Sequence, residues 1–110
     1  MNITTTEHGA IKVMAIEGRL DGQHAQAAEQ AFLALAQGGA SQFVLDFARM
    51  DYISSAGLRV VLVAAKKVRS VQGRLICAGM SESVKDIFQM SGFLSILETA
   101  DSVDEATAMM

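Results

Sequence analysis

Proline and tryptophan are absent from this 110-residue chain, and cysteine and tyrosine each occur once. With no proline, 51% hydrophobic residues and only 19% charged ones, the composition is that of a compact globular protein and excludes a disordered one. Aromatics make up 5%, so the core must be aliphatic. The lone Cys77 excludes an intramolecular disulfide, and with only His8 and His24 beside it no zinc site can be assembled. A surplus of positive charge is missing too. Nine basic against twelve acidic residues give a net charge of −3, which argues against direct nucleic-acid binding. The longest apolar run, Val60 to Ala65, falls far short of the ~20 residues of a membrane span, so no membrane insertion is expected. The opening Met1-Asn2-Ile3-Thr4 carries no basic stretch ahead of an apolar one, and a cytoplasmic protein is expected.

What is present is a regular alternation of β-like and helical segments. "NITTTEH" and "AIKVMAIEG", separated by His8-Gly9, are rich in Thr, Ile and Val and predict an antiparallel hairpin. From His24 to Gln37, Ala28, Ala31, Phe32 and Leu35 recur at helical spacing until Gly38-Gly39. "QFVLDF" and "RLICAG" are short continuous apolar runs, the mark of strands covered on both faces. Between them, a helix starting at Ser54 or Ser55 would place Leu58, Val61, Leu62, Ala65 and Val68 on one face. It would end at Gln72-Gly73, with Lys66, Lys67 and Arg69 complementing its dipole.

Ser81 predicts the cap of a helix with Val84, Ile87 and Phe88 inward, ending at Ser91-Gly92. "FLSILE" reads as a last strand, and Ser102 with Glu105 has the spacing of a capping box for a short final helix. The sum is an α/β fold occupying residues 1–110 as one domain: a mostly parallel central sheet of about five strands, an N-terminal antiparallel hairpin and about four helices. Function in such folds concentrates where strands run into helices, here at "GRLDG" and "MDYISS".

Catalytic patterns are scarce. A nucleophilic serine needs a base and an orienting group, and His8 in a hairpin turn and His24 at an exposed helix start are poor candidates. There is no G-x-S-x-G elbow, P-loop or G-x-G-x-x-G fingerprint. Cys77, inside "LICAG", has the setting of a small buried hydrophobe. Glu17, Asp21, Asp46 and Asp51 lie near strand ends and could in principle converge as acid/base pairs or magnesium ligands; capping and turn roles account for them more simply. Asp21 stands out because its loop should neighbour the serine loop. No catalytic residue, cofactor or metal is therefore assigned.

The serine pair carries two compatible readings. A serine at a helix start accepts from an unpaired backbone N–H, worth about 1 kcal/mol. A phosphoryl group at the same place would meet the positive end of the helix dipole, so the fold would tolerate it while the surface changed by close to two negative charges.

The turn "EGRLDG" from Glu17 to Gly22, the strand "FVLDF", the junction "MDYISSAGLRVVL", the strand "GRLICAG" and the segment "VKDIFQMSGF" together resemble the STAS domain family. The resemblance spans essentially the whole chain and is strongest to the bacterial anti-sigma factor antagonists. It implies a binding module that captures an anti-sigma factor, often a serine kinase, and so frees a sigma factor. The module is itself the kinase's substrate, reset by a PP2C-type phosphatase. Aligned on Gly57, the family's phosphorylated serine falls at Ser55. Ala56 takes the place of a second hydroxyl, and Ser54 stands where aspartate is common, which makes Ser54 an alternative acceptor. Asp21 matches the family's aspartate beside the phosphosite. The resemblance thus implies a partner-binding face made of Asp21, Tyr52, Ser54, Ser55, Ala56 and Gly57, and no enzymatic activity of the chain's own. A second possibility within the same resemblance is a structural subunit of an ABC lipid-transport complex, independent of phosphorylation.

Overall fold

The computed structural model describes residues 1–110. Strands β1 (Asn2–His8) and β2 (Ile11–Leu20) form the antiparallel hairpin, paired from Asn2–Glu17 to His8–Ile11. Their turn is Gly9-Ala10. Gly9 has φ +64° and Ala10 keeps a negative φ, the pattern of a type II′ turn, whose twist matches that of the flanking strands. Helix α1 (Ala25–Gln37) follows, then β3 (Gln42–Asp46), β4 (Met50–Ile53), α2 (Ser55–Ser70), β5 (Arg74–Ala78), α3 (Glu82–Met90), a 3-10 turn (Phe93–Ser95), β6 (Glu98–Ala100) and α4 (Val103–Ala108).

The main sheet runs in the order β1-β2-β3-β5-β6, with every pair parallel except the hairpin. Strand alternation divides its side chains between two cores. Met14, Ile16, Phe43, Leu45, Leu75 and Cys77 point to the face covered by α1, α2 and α3, where they meet Phe32, Val61, Val84 and Phe88. Val13, Val44, Ile76 and Ala78 point the other way, onto Ala106 of α4. The large core is not wholly aliphatic, contrary to the expectation from composition: Phe32 packs on Phe43 with ring centroids 4.7 Å apart and Phe47 on Phe88 at 6.0 Å, because most of the few aromatics are placed inside.

The α/β class, hairpin and four helices match the sequence expectation, and four details differ. The sheet has six strands, because Met50–Ile53 pairs with the end of β2. Its burial runs buried, exposed, exposed, buried, so it lacks the period of two that marks a strand in sequence. The last strand is Glu98–Ala100 rather than "FLSILE". Gly92 at φ +81° turns the chain, Ser95 Oγ donates to the Gly92 carbonyl at 2.8 Å, and Phe93, Leu94 and Leu97 pack on the core. In α2 the buried stripe is Gly57, Leu58, Val60, Val61, Ala64 and Val68, rotated from the expected one, so that Leu62 and Ala65 are only half-buried. In α3 Val84 and Phe88 are buried as expected, while Ile87 is half-buried.

Candidate functional site

The two loops singled out by sequence meet at the carboxyl ends of β2 and β4. β2 pairs with β3 as far as Ala15 and with β4 from Gly18 on; within the β2–β4 ladder the register shifts between Gly18 and Arg19, so that Arg19 pairs with Tyr52 and Leu20 with Ile53. The Leu20 carbonyl accepts from the backbone N–H of Ser54 at 3.0 Å, fixing the start of α2 against the end of β2. Gly57 closes the same junction from inside the helix.

Ser54 is the N-cap of α2. Its backbone is extended, φ −95° and ψ 176°, and its Oγ accepts from the Gly57 N–H at 3.3 Å. Ser55 is the first helical residue and is exposed; Ala56 is half-buried. Since Ser54 makes the capping bond, the Ser55 hydroxyl is left to face solvent. No acidic residue occupies the first turn of α2.

Asp21 folds the β2–α1 turn. Its Oδ1 accepts from the Gln23 N–H at 3.1 Å and pairs with His24 Nδ1 at 2.9 Å, while its Oδ2 lies 3.7 Å from Arg19 Nε. Partial desolvation pushes its carboxyl up, but the hydrogen bond and charge of His24, with backbone N–H groups of Gln23 and His24, outweigh this and hold it below the ordinary aspartate value. The N-cap of α1 is His24, not Asp21. The Arg19 guanidinium in turn lies 4.5 Å from the centre of the Tyr52 ring, a cation–π stack. Tyr52, Arg19, Asp21 and His24 thus form one connected cluster bordering the serine pair.

Beside this cluster runs an open groove of about 420 Å³, lined by Tyr52, Ile53, Ser54, Ser55, Leu58, Ile87, Met90 and Ser91. Tyr52 is 37% exposed and Met90, on the last turn of α3, is 87% exposed. The α3 side of this groove is absent from the sequence expectation. Its one signal was Met90, an apolar residue two positions past Phe88 and off the buried Val84–Phe88 stripe.

The remaining candidates lie elsewhere. Asp46 Oδ1 accepts from the Ala48 N–H at 3.0 Å, and Asp46 and Glu17 border a separate hollow with Thr4 and Arg49. Asp51 is exposed on β4. The four carboxylates do not converge, and no three His, Cys, Asp or Glu residues are grouped to hold a metal ion. His24 is engaged by Asp21, His8 ends β1, and Cys77 is fully buried in β5. No helix is long and apolar enough to cross a membrane.

Comparison with known proteins bears on this arrangement. The STAS domain family model matches residues 2–106. BtrV of Bordetella bronchiseptica, described as an anti-sigma factor antagonist, is 39% identical over 108 residues, covering 98% of this chain and 93% of BtrV. Among solved structures, an anti-sigma factor antagonist described from Thermotoga maritima superposes with a TM-score of 0.92 at 17% identity, covering 97% of this chain and 92% of its own. The phosphorylated form of the Bacillus cell fate determinant SpoIIAA gives 0.77 at 22% identity, covering 98% of each chain.

Proposed function

The chain belongs to the STAS domain family, and from that footing we propose that it is an anti-sigma factor antagonist switched by phosphorylation of Ser55. The observation that carries this reading is the division of labour at the α2 start: Ser54 caps the helix, leaving Ser55 exposed on the rim of an apolar groove. The similarity to BtrV along nearly the whole chain supports the same reading.

The unmodified face, comprising Tyr52, the serine pair, Ile87 and Met90 with Asp21 alongside, receives the anti-sigma factor, a serine kinase. The kinase transfers the γ-phosphoryl group of ATP to Ser55 Oγ, which loses its proton, and ADP leaves. The phosphate then lies at the positive end of the α2 dipole, with no first-turn carboxylate to repel it and the exposed Arg59 one turn further on. The helix is undisturbed, but a surface that fitted a neutral hydroxyl now meets close to two negative charges, and the complex dissociates. A PP2C-type phosphatase restores the hydroxyl. All bond-making chemistry resides in these partners.

The test is to incubate the protein with an anti-sigma-type serine kinase from the same genome and ATP, then weigh it. One phosphate is expected on the wild type and on Ser54→Ala, and none on Ser55→Ala, with kinase capture lost in the modified form. An unchanged wild-type mass, or full uptake by Ser55→Ala, overturns the assignment. Co-purification with an ATP-binding-cassette subunit, indifferent to Ser55→Glu, would instead identify a transport-complex subunit.

A further inference from the structure

The β1 edge, which contributes nothing to the serine-pair groove, has a character of its own. β1 pairs with β2 only, so its outer side carries unpaired backbone groups. Such edges are templates for strand addition, and proteins ordinarily blunt them with proline, charge, bulges or shortness. This edge has neither proline nor bulge, it is not short, and its single charge is paired. It is seven residues long, its pairing with β2 runs without a register shift, and every residue but Ile3 is exposed. Its one charged side chain, Glu7, is neutralised by an ion pair with Lys12 on the neighbouring strand. α4, which shields the outer sheet face, packs on Val13, Val44, Ile76 and Ala78 and leaves β1 uncovered.

The hairpin fixes which groups face outward. In a two-residue hairpin the residues flanking the turn, here His8 and Ile11, exchange both hydrogen bonds, and the bonding alternates from there. Thr6, Thr4 and Asn2 therefore bond to β2. Ile3, Thr5 and Glu7 present their N–H and C=O groups to the outside.

We infer that β1 is a homodimerisation edge, pairing antiparallel with β1 of a second copy about a two-fold axis at Thr5. That register places the outward groups of Ile3, Thr5 and Glu7 opposite those of Glu7, Thr5 and Ile3 of the second copy. It sets threonine against threonine at the three central positions, a favourable cross-strand pairing. Glu7 faces Ile3, so no like charges meet. The contact is isologous and closes on itself, giving a dimer rather than a filament. One strand pair buries less than the ~1,200 Å² of a standard interface, so association is weak and concentration-dependent. The edge shares no residue with the Tyr52–Ser91 groove, so the inference stands independently of the proposed function.

Sedimentation velocity of the full chain from micromolar to millimolar concentration is expected to show a monomer–dimer equilibrium. Thr5→Lys, which sets two cations opposite each other, should weaken it at least about tenfold. Thr5→Glu should do the same, and an equimolar mixture of the two variants should dimerise again. Amide exchange on the wild type, which needs no variant, should slow at Ile3, Thr5 and Glu7 as concentration rises, with Asn2, Thr4 and Thr6 protected throughout. A wild type that stays monomeric, dimerisation untouched by Thr5→Lys, failure of the mixture to associate, or exchange independent of concentration would each overturn the inference.

Discussion

A Cβ atom on Gly57 would lie 2.4 Å from the carbonyl oxygen of Leu20, and 2.7 Å from Cγ1 of Ile53. The first turn of α2 is pressed against the end of β2 so closely that only a glycine fits, and this brings Asp21 and the serine pair to one place. The obstacle is backbone, so it cannot swing aside. Gly57→Ala should cost about 2–3 kcal/mol in urea denaturation, at the upper end of overpacking effects, and splay the serine pair from Asp21. Gly22→Ala is the control: nothing lies within 4 Å of its Cβ, and its stability should stay within about 0.5 kcal/mol of wild type.

The cap and the proposed phosphoacceptor should be separable by mutation. Ser54 Oγ accepts from the Gly57 N–H, so Ser54→Ala should lower stability by about 1 kcal/mol while leaving phosphate uptake at Ser55 in place. Ser54→Asp keeps an acceptor at the cap and adds a negative charge at the positive end of the helix, and should recover that stability. Parallel denaturation curves and mass measurements on both variants check this. Loss of uptake in Ser54→Ala with the helix intact would move the acceptor to Ser54.

Much of this architecture was legible because its signals are local. Ser54, Ser81 and Ser102 each accept from the backbone N–H three residues on, the geometry their spacing predicts. The middle of β3, Phe43–Leu45, and all of β5 after Arg74 are apolar because helices cover both faces, which sequence alone can display. β4 was not legible, since four residues buried only at their ends carry no periodicity, and its pairing with the end of β2 is irregular, with a register shift after Gly18. Nor was the groove. Ile87 and Met90 reach the serine pair only because α3 packs beside β4, a tertiary fact with no counterpart in spacing. The rotated stripe of α2 has the same origin: which of Ala64 or Leu62 is buried depends on where the sheet and α1 lie.

One guanidinium links the C-terminal elements. Arg74 donates from Nε and Nη2 to the Glu98 carboxylate at 2.9 and 2.7 Å and from Nη1 to the Met109 carbonyl at 2.6 Å, tying β5, β6 and the end of α4 together. The hydrogen bonds from Arg74 hold the Glu98 carboxyl below its ordinary value of 4.5, against a smaller upward push from desolvation, and the Arg74 charge adds to the lowering. A carboxyl whose folded value is depressed stabilises above its unfolded value and loses that contribution as pH falls through the folded one. Wild type and Glu98→Gln should therefore differ above about pH 4.5 and converge in more acid solution. Amide exchange in Glu98–Ala100 and Val103–Ala108 should report the difference first, because these are the elements that the Arg74 hydrogen bonds tie to β5.

Cys77 lies in β5 between β3 and β6, fully buried, and desolvation pushes its thiol up to about 12. It is a packing residue, and three measurements follow from that. At pH 8 a disulfide reagent should leave the native thiol untouched and modify it at once in urea, since only the thiolate reacts and only the unfolded chain exposes it. Raising the pH from the ordinary thiol value of 9.0 towards 12 should erode stability, because the unfolded thiol releases its proton in that interval while the folded one keeps it. Cys77→Ser should be more destabilising than Cys77→Ala, by about 1–3 kcal/mol, because a hydroxyl in an apolar layer beside Leu75 and Phe88 has no partner to bond. Equal stabilities for the two variants would mean that water or a backbone carbonyl reaches this point of the core.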